Sequence, residues 1–176
     1  MLRRFISFIF ITLLPLGASM AQDPELLEES GDWRAFKYDD PAAGGSVCFI
    51  VSAPKQMEGN YQRRGAVWLH VTHRPNDDNA QNRLNVVSFA AGFQFWADSQ
   101  PILTIGDKQF RMHTENETAW SFPDDDIDLV RALRQGATLT IESKSWRGTE
   151  IRDTFSLRGV TATHNRVSQD CGVDPL

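Results

Sequence analysis

The chain has 176 residues, 41% hydrophobic and 23% charged, with 18 Lys and Arg against 23 Asp and Glu for a formal net charge of −5. That length suits one domain with a core of its own. The acidic balance argues against nucleic acid, whose phosphates call for clustered Lys and Arg, and against attraction to anionic lipid.

Arg3 and Arg4 precede a mostly apolar run from Phe5 to Leu14, followed by Pro15, Gly17 and Ser19-Met20-Ala21. A cationic start, an apolar stretch, a helix breaker and small residues form the layout of an export signal, with cleavage expected after Ala21. The run is shorter than the ~20 apolar residues of a membrane-spanning helix. Removing residues 1–21 leaves 16 cationic against 23 acidic residues, a charge of −7. No later apolar run is long enough to span a bilayer, so the processed chain is expected to carry no integral membrane segment. Residues 22–31 are acidic and read as a flexible N-terminal segment, and 32–176 as a single domain.

Short strands separated by turn residues fill most of that domain. Val47, Phe49 and Val51 alternate with Cys48 and Ile50 up to Pro54, and Val67, Leu69 and Val71 alternate with Trp68, His70 and Thr72. This period of two marks strands. The stretch from Leu84 to Ala91 is apolar on both faces, as in a central strand, and Gly92 ends it. Ile102–Ile105 and Lys108–Thr114 flank Gly106-Asp107 and predict a hairpin. A strand is expected near Thr118–Phe122, and a second hairpin joins Leu139–Lys144 to Ile151–Leu157 through Arg147-Gly148. Polar loops are expected over Pro54–Gly65 and Pro75–Arg83. Pro123–Gly136 has acids first, arginines late and glycine last, which favours a helix over a calcium site. A shorter helix from Val160 to about Ser168 precedes Cys171.

Candidate chemistry is sparse. His70 and His73 lie three apart on a strand and so project to opposite faces, which does not suit one metal ion; no metal and no cofactor are expected. No Gly-x-Ser-x-Gly elbow and no Cys/His pairing suggest a nucleophile, so no catalytic residue is assigned. Cys48 and Cys171 are an even pair that an oxidising compartment would join, the alternative being two buried free thiols. Asp153 shares a face with Ile151 and Phe155. It sits either at an exposed strand end or inward, paired with a loop residue such as Arg74. Trp68 and Trp146 share their strand faces with polar neighbours and, with Arg63 and Arg64 of the first polar loop, are the candidate interface residues.

Taken in order, Gly31-Asp32-Trp33, Val47-Cys48 through Val51-Ser52-Ala53-Pro54-Lys55, Arg63-Arg64-Gly65, Val71-Thr72-His73-Arg74-Pro75, Val87-Ser88-Phe89 to Gly92 and Ala119-Trp120 form a linear pattern. Arg147-Gly148-Thr149, Asp153-Thr154-Phe155-Ser156-Leu157 and Cys171 complete it. The pattern resembles the invasion-associated locus B family of exported bacterial proteins over nearly the whole processed chain. The resemblance implies a cysteine at each of the two positions seen here, and hence a Cys48–Cys171 bond. It brings no catalytic residues. The chain departs from the family at Gly159–His164, where a more apolar helix is usual, and in the long polar loop before Arg83.

The expected fold is all-β, an antiparallel β-sandwich with one or two short helices at the edge. The expected location is periplasmic, with release or surface association as variants. The expected function is a non-catalytic binding or interaction module whose partner is another protein or an envelope component. The alternatives are a carrier holding a small apolar ligand between the sheets, and a hydrolase with an unrecognised site.

Overall fold

A computed structural model describes residues 23–78 and 84–176. The expected export signal and residues 79–83 of the Pro75–Arg83 loop lie outside the described residues. Eleven strands form among the described residues: β1 (Glu25–Ser30), β2 (Trp33–Asp40), β3 (Gly45–Ser52), β4 (Gln56–Gly59), β5 (Trp68–His73), β6 (Val86–Ala90), β7 (Ile102–Ile105), β8 (Lys108–Glu115), β9 (Thr118–Ser121), β10 (Thr138–Lys144) and β11 (Glu150–Ser156). Helix α1 (Asp126–Gln135) links β9 to β10, and α2 (Val160–Asp170) follows β11.

The strands pair antiparallel in the order β1-β2-β3-β5-β6-β9-β8-β7-β10-β11-β4. The all-β architecture with two short edge helices is the expected one, but its two layers are halves of a single open sheet. Strand β8 joins them, because Lys108–Arg111 pair with β7 while Met112–Glu115 pair with β9. Between the halves, the rings of Phe89 on β6 and Phe155 on β11 meet edge to face at 6.3 Å. Fully buried Trp33 donates its indole N–H to the Ser156 carbonyl at 2.9 Å, which fastens β2 to the end of β11. Leu69, Leu103, Met112, Leu129, Leu139 and Ile141 fill the remaining interior.

Two segments correct the sequence reading. Glu25–Ser30 is not a loose tail: it pairs with β2, and Leu27 packs against the core. Within the expected loop Pro54–Gly65, Gln56–Gly59 forms β4, an edge strand on β11 with every residue exposed. Both were hidden by the same cause. Polar edge strands of this kind bury little and show no apolar alternation.

Cys48 and Cys171 form a disulfide with a Cα–Cα distance of 6.1 Å, closing a sequence separation of 123 residues. Gly159 makes the entry into α2 possible: its φ is 106°, and an added Cβ would lie 1.9 Å from the Ser30 carbonyl oxygen. Only glycine fits so close an approach. Beside the disulfide lies a buried polar cluster. Cys48 is paired in register with His73, whose ring stands edge-on to that of His164 on α2 at 5.3 Å. The Asn85 backbone N–H donates to His73 Nδ1 at 3.1 Å, leaving the His73 Nε2 proton facing Ser168 Oγ at 3.4 Å. Arg134 of α1 donates to His164 Nδ1 at 3.0 Å, and His164 Nε2 donates to Asn85 Oδ1 at 2.9 Å. Each ring thus accepts at Nδ1 and donates at Nε2, which is the neutral form. Burial depresses the pKa of His73 to about 4 and, reinforced by the nearby His73 and Arg134 charges, that of His164 to about 3. Arg134 and Asn85 thus satisfy the ring of His164.

Candidate functional site

The other end of the β5–β6 hairpin carries a second buried polar group. Arg64, just before β5, lays its guanidinium along the Asp153 carboxylate of β11 in two parallel bonds of 2.6 Å. Its Nε donates to the Ala91 carbonyl at 2.7 Å. The Arg64 side chain is 4% exposed and that of Asp153 is 0%. Burial raises the Asp153 carboxyl above its ordinary value, against the pull of Arg64, and the two-pronged geometry is that of an ionised carboxylate. Asp153 therefore points inward with Ile151 and Phe155, and its partner is Arg64 rather than Arg74. Arg64 itself is a buried structural cation and not an exposed interface residue.

This pair fixes the wall of a cleft. The Arg64 guanidinium also packs over the rings of Phe93 at 4.9 Å and Tyr61 at 5.6 Å. Gly65 N–H donates to the Gly92 carbonyl at 2.8 Å, and Gly92, with φ of 69°, lies so close that an added Cβ would meet the Gly65 oxygen at 2.6 Å. The segment 60–65 is thereby pinned by a side chain and by its own backbone. The facing wall is the β10–β11 turn. There the Trp146 N–H donates to the Gln94 carbonyl at 2.8 Å, and Ser145 N–H to the Thr149 carbonyl at 2.9 Å. The open cleft between the two walls has a volume of about 940 Å³, within the range of ligand clefts.

The side chains offered to this space are of three kinds. Tyr61, Phe93 and Trp146 supply aromatic surface, and Asn60, Gln62 and Gln94 supply amides. Arg63 and Arg147 supply charge, opposed by Glu117 alone once Arg64 and Asp153 have neutralised each other. Trp146 is 54% exposed, and the Arg147 guanidinium lies over its ring at 4.7 Å. Among the described residues neither Arg63 nor Arg147 makes an ion pair. Of the four candidate interface residues, the structure brings Arg63, Arg64 and Trp146 together here. Trp68 lies elsewhere, half-buried on the outer face of β5 beside His70. Sequence reasoning missed Phe93, Tyr61 and Arg147. The signal available was the Trp146-Arg147 dipeptide at a turn.

The family model described as invasion associated locus B (IalB) protein matches residues 33–168. The chain belongs to that family. No curated protein and no solved structure matches it. The IalB match runs from β2 through most of α2, so it takes in both cleft walls, the Arg64–Asp153 pair and Cys48. Cys171 and β1 lie outside it. No described helix is long and apolar enough to cross a membrane.

Proposed function

We propose that this IalB-family protein is an exported, non-catalytic binding module of the bacterial envelope, and that the cleft beside the β10–β11 turn is its recognition site. The observation that carries the reading is an exposed tryptophan, stacked with an unpaired arginine, at the rim of a cleft whose opposite wall is held by a buried ion pair. Aromatic side chains and arginine dominate binding energy wherever they are presented on a rigid support. A single carboxylate, Glu117, lines the cleft, and hydrolysis by a carboxylate pair needs two facing one another. The filled interior between the two sheet halves favours a surface site over an apolar ligand carried inside.

A photo-crosslinking amino acid placed at Thr149, in cells making the full chain, tests the reading. Covalent adducts at Thr149 that are missing from the same probe at Asp107, in the β7–β8 turn, are the expected result. Equal labelling at both positions, or none, overturns it.

A further inference from the structure

The chemistry of the cleft narrows its occupant. A protein partner of ordinary affinity covers a broad, gently contoured area with an apolar centre. This site is instead a concave cleft lined mainly by amides, hydroxyls and arginines around three rings. Such a mixture fits a ring compound whose rim is all hydroxyl and whose flat faces are C–H. Trp146 offers a platform for one face of a pyranose, and Asn60, Gln62 and Gln94 can both donate to and accept from sugar hydroxyls. Ser145 and Thr149 add hydroxyls on the facing wall.

Charge then selects among saccharides. Arg63 and Arg147 lack carboxylate partners among the described residues, although the chain as a whole carries an excess of acids. Two unpaired guanidinium groups on an acidic protein, converging on one cleft, match a planar or tetrahedral anion by paired N–H donors. The stack of Arg147 on Trp146 restrains that guanidinium before any ligand arrives. Arg64 does not serve this purpose, since its charge is already matched by Asp153 and its Nε N–H is held by the Ala91 carbonyl; its part is to position the wall.

We infer that the cleft binds an acidic saccharide, with a pyranose ring on Trp146 and its carboxylate or phosphate on Arg147 and Arg63. This inference rests on the cleft being the recognition site. In a bacterial envelope such an anion is supplied either by peptidoglycan glycan stripped of its stem peptides, where the lactyl carboxylate is free, or by the carboxylates and phosphates of a lipopolysaccharide core.

The test is calorimetric titration of the full processed chain with three probes: a muramic-acid-containing tetrasaccharide, a lipopolysaccharide core oligosaccharide, and neutral cellotetraose. Binding of at least one acidic probe tenfold or more tighter than cellotetraose is expected, and which one binds identifies the source. Arg147→Gln should remove that preference, and Trp146→Ala should weaken the acidic probe tenfold or more. Trp96→Ala, an exposed tryptophan that does not line the cleft, should leave affinity unchanged. All three positions are exposed, so the variants should fold as the parent does. If neither acidic probe binds, or cellotetraose binds equally well, the inference is overturned. Site-specific crosslinks at Thr149 to a protein, together with no saccharide binding, would overturn it while leaving the recognition site in place. Loss of both would overturn both.

Discussion

The β5–β6 hairpin ends in a buried polar group on each side, about 20 Å apart over the length of β5, and the two are built on opposite principles. At the Arg64 end, full charges are buried and matched to each other, with a further guanidinium N–H on the Ala91 carbonyl. At the His73 end, two ionisable rings are buried uncharged, held by the backbone N–H and side-chain oxygen of Asn85 and by a donor N–H of Arg134. The first arrangement depends on both partners being present. The second depends on protons staying off. One group lies under the cleft and fixes the loop that walls it, while the other lies between a helix and a sheet, where the disulfide already supplies placement.

The largest contrast should appear when a single partner is removed. Arg64→Ala or Asp153→Ala leaves an unmatched buried charge, expected to cost about 3–5 kcal/mol in denaturant unfolding. The paired replacement Arg64→Met with Asp153→Leu should cost far less than the sum, and additivity would show that the two residues do not act as a unit. At the other end, Cys171→Ser should cost about 2–5 kcal/mol by releasing the helix side of the histidine cluster from β3. Unchanged unfolding midpoints with and without reductant would contradict this.

Acid should separate the two ends next. His73 and His164 have folded-state pKa values of about 4 and about 3, below the ordinary 6.5. The unfolded chain therefore takes up protons first, and the stability these rings contribute, complete above pH 6.5, is lost as pH falls toward 4. Between pH 7 and pH 5 the loss is about 2 kcal/mol per histidine, upper bounds that His164→Gln should reduce. Asp126 works the other way. Burial, partly offset by the Ser121 hydroxyl, lifts its pKa to about 6, so its contribution is full below 3.8 and fades as pH rises through 6. A stability that rises steadily from pH 7 to pH 5 would contradict the histidine assignment. The smallest effect belongs to the cleft rim: Trp146→Ala should shift stability by less than ~0.5 kcal/mol, because the ring is mostly exposed.

The sequence made some of this legible for physical reasons. Period-two alternation located β10 and β11, and β5 from Trp68 to Val71, because their inner residues are buried and their outer ones are not; in β3 both faces are covered, and the alternation read there does not track burial. It missed β1 and β4, whose edge positions remove the burial that alternation records. The Ile151 and Phe155 neighbours of Asp153 left an inward setting open beside an exposed strand end, and the partner was hidden, since Arg64 lies 89 residues away along the chain. Likewise Trp146 was visible as an aromatic among polar neighbours, whereas Phe93 and Tyr61 read as ordinary core and loop residues. The histidine cluster was opaque throughout. His73 read as a strand end and His164 as part of a polar helix, and only the turn at Asn85, with φ of 61°, brings their rings to a common acceptor and donor.

The bond between Cys48 and Cys171 also bears on what a protease can achieve. Almost every exposed turn falls between these two positions, so a nick at Lys55, Gln100 or Asp124 yields two polypeptides that remain covalently attached. A cut protein of this design keeps its fragments in one particle, and only a reducing agent lets them part.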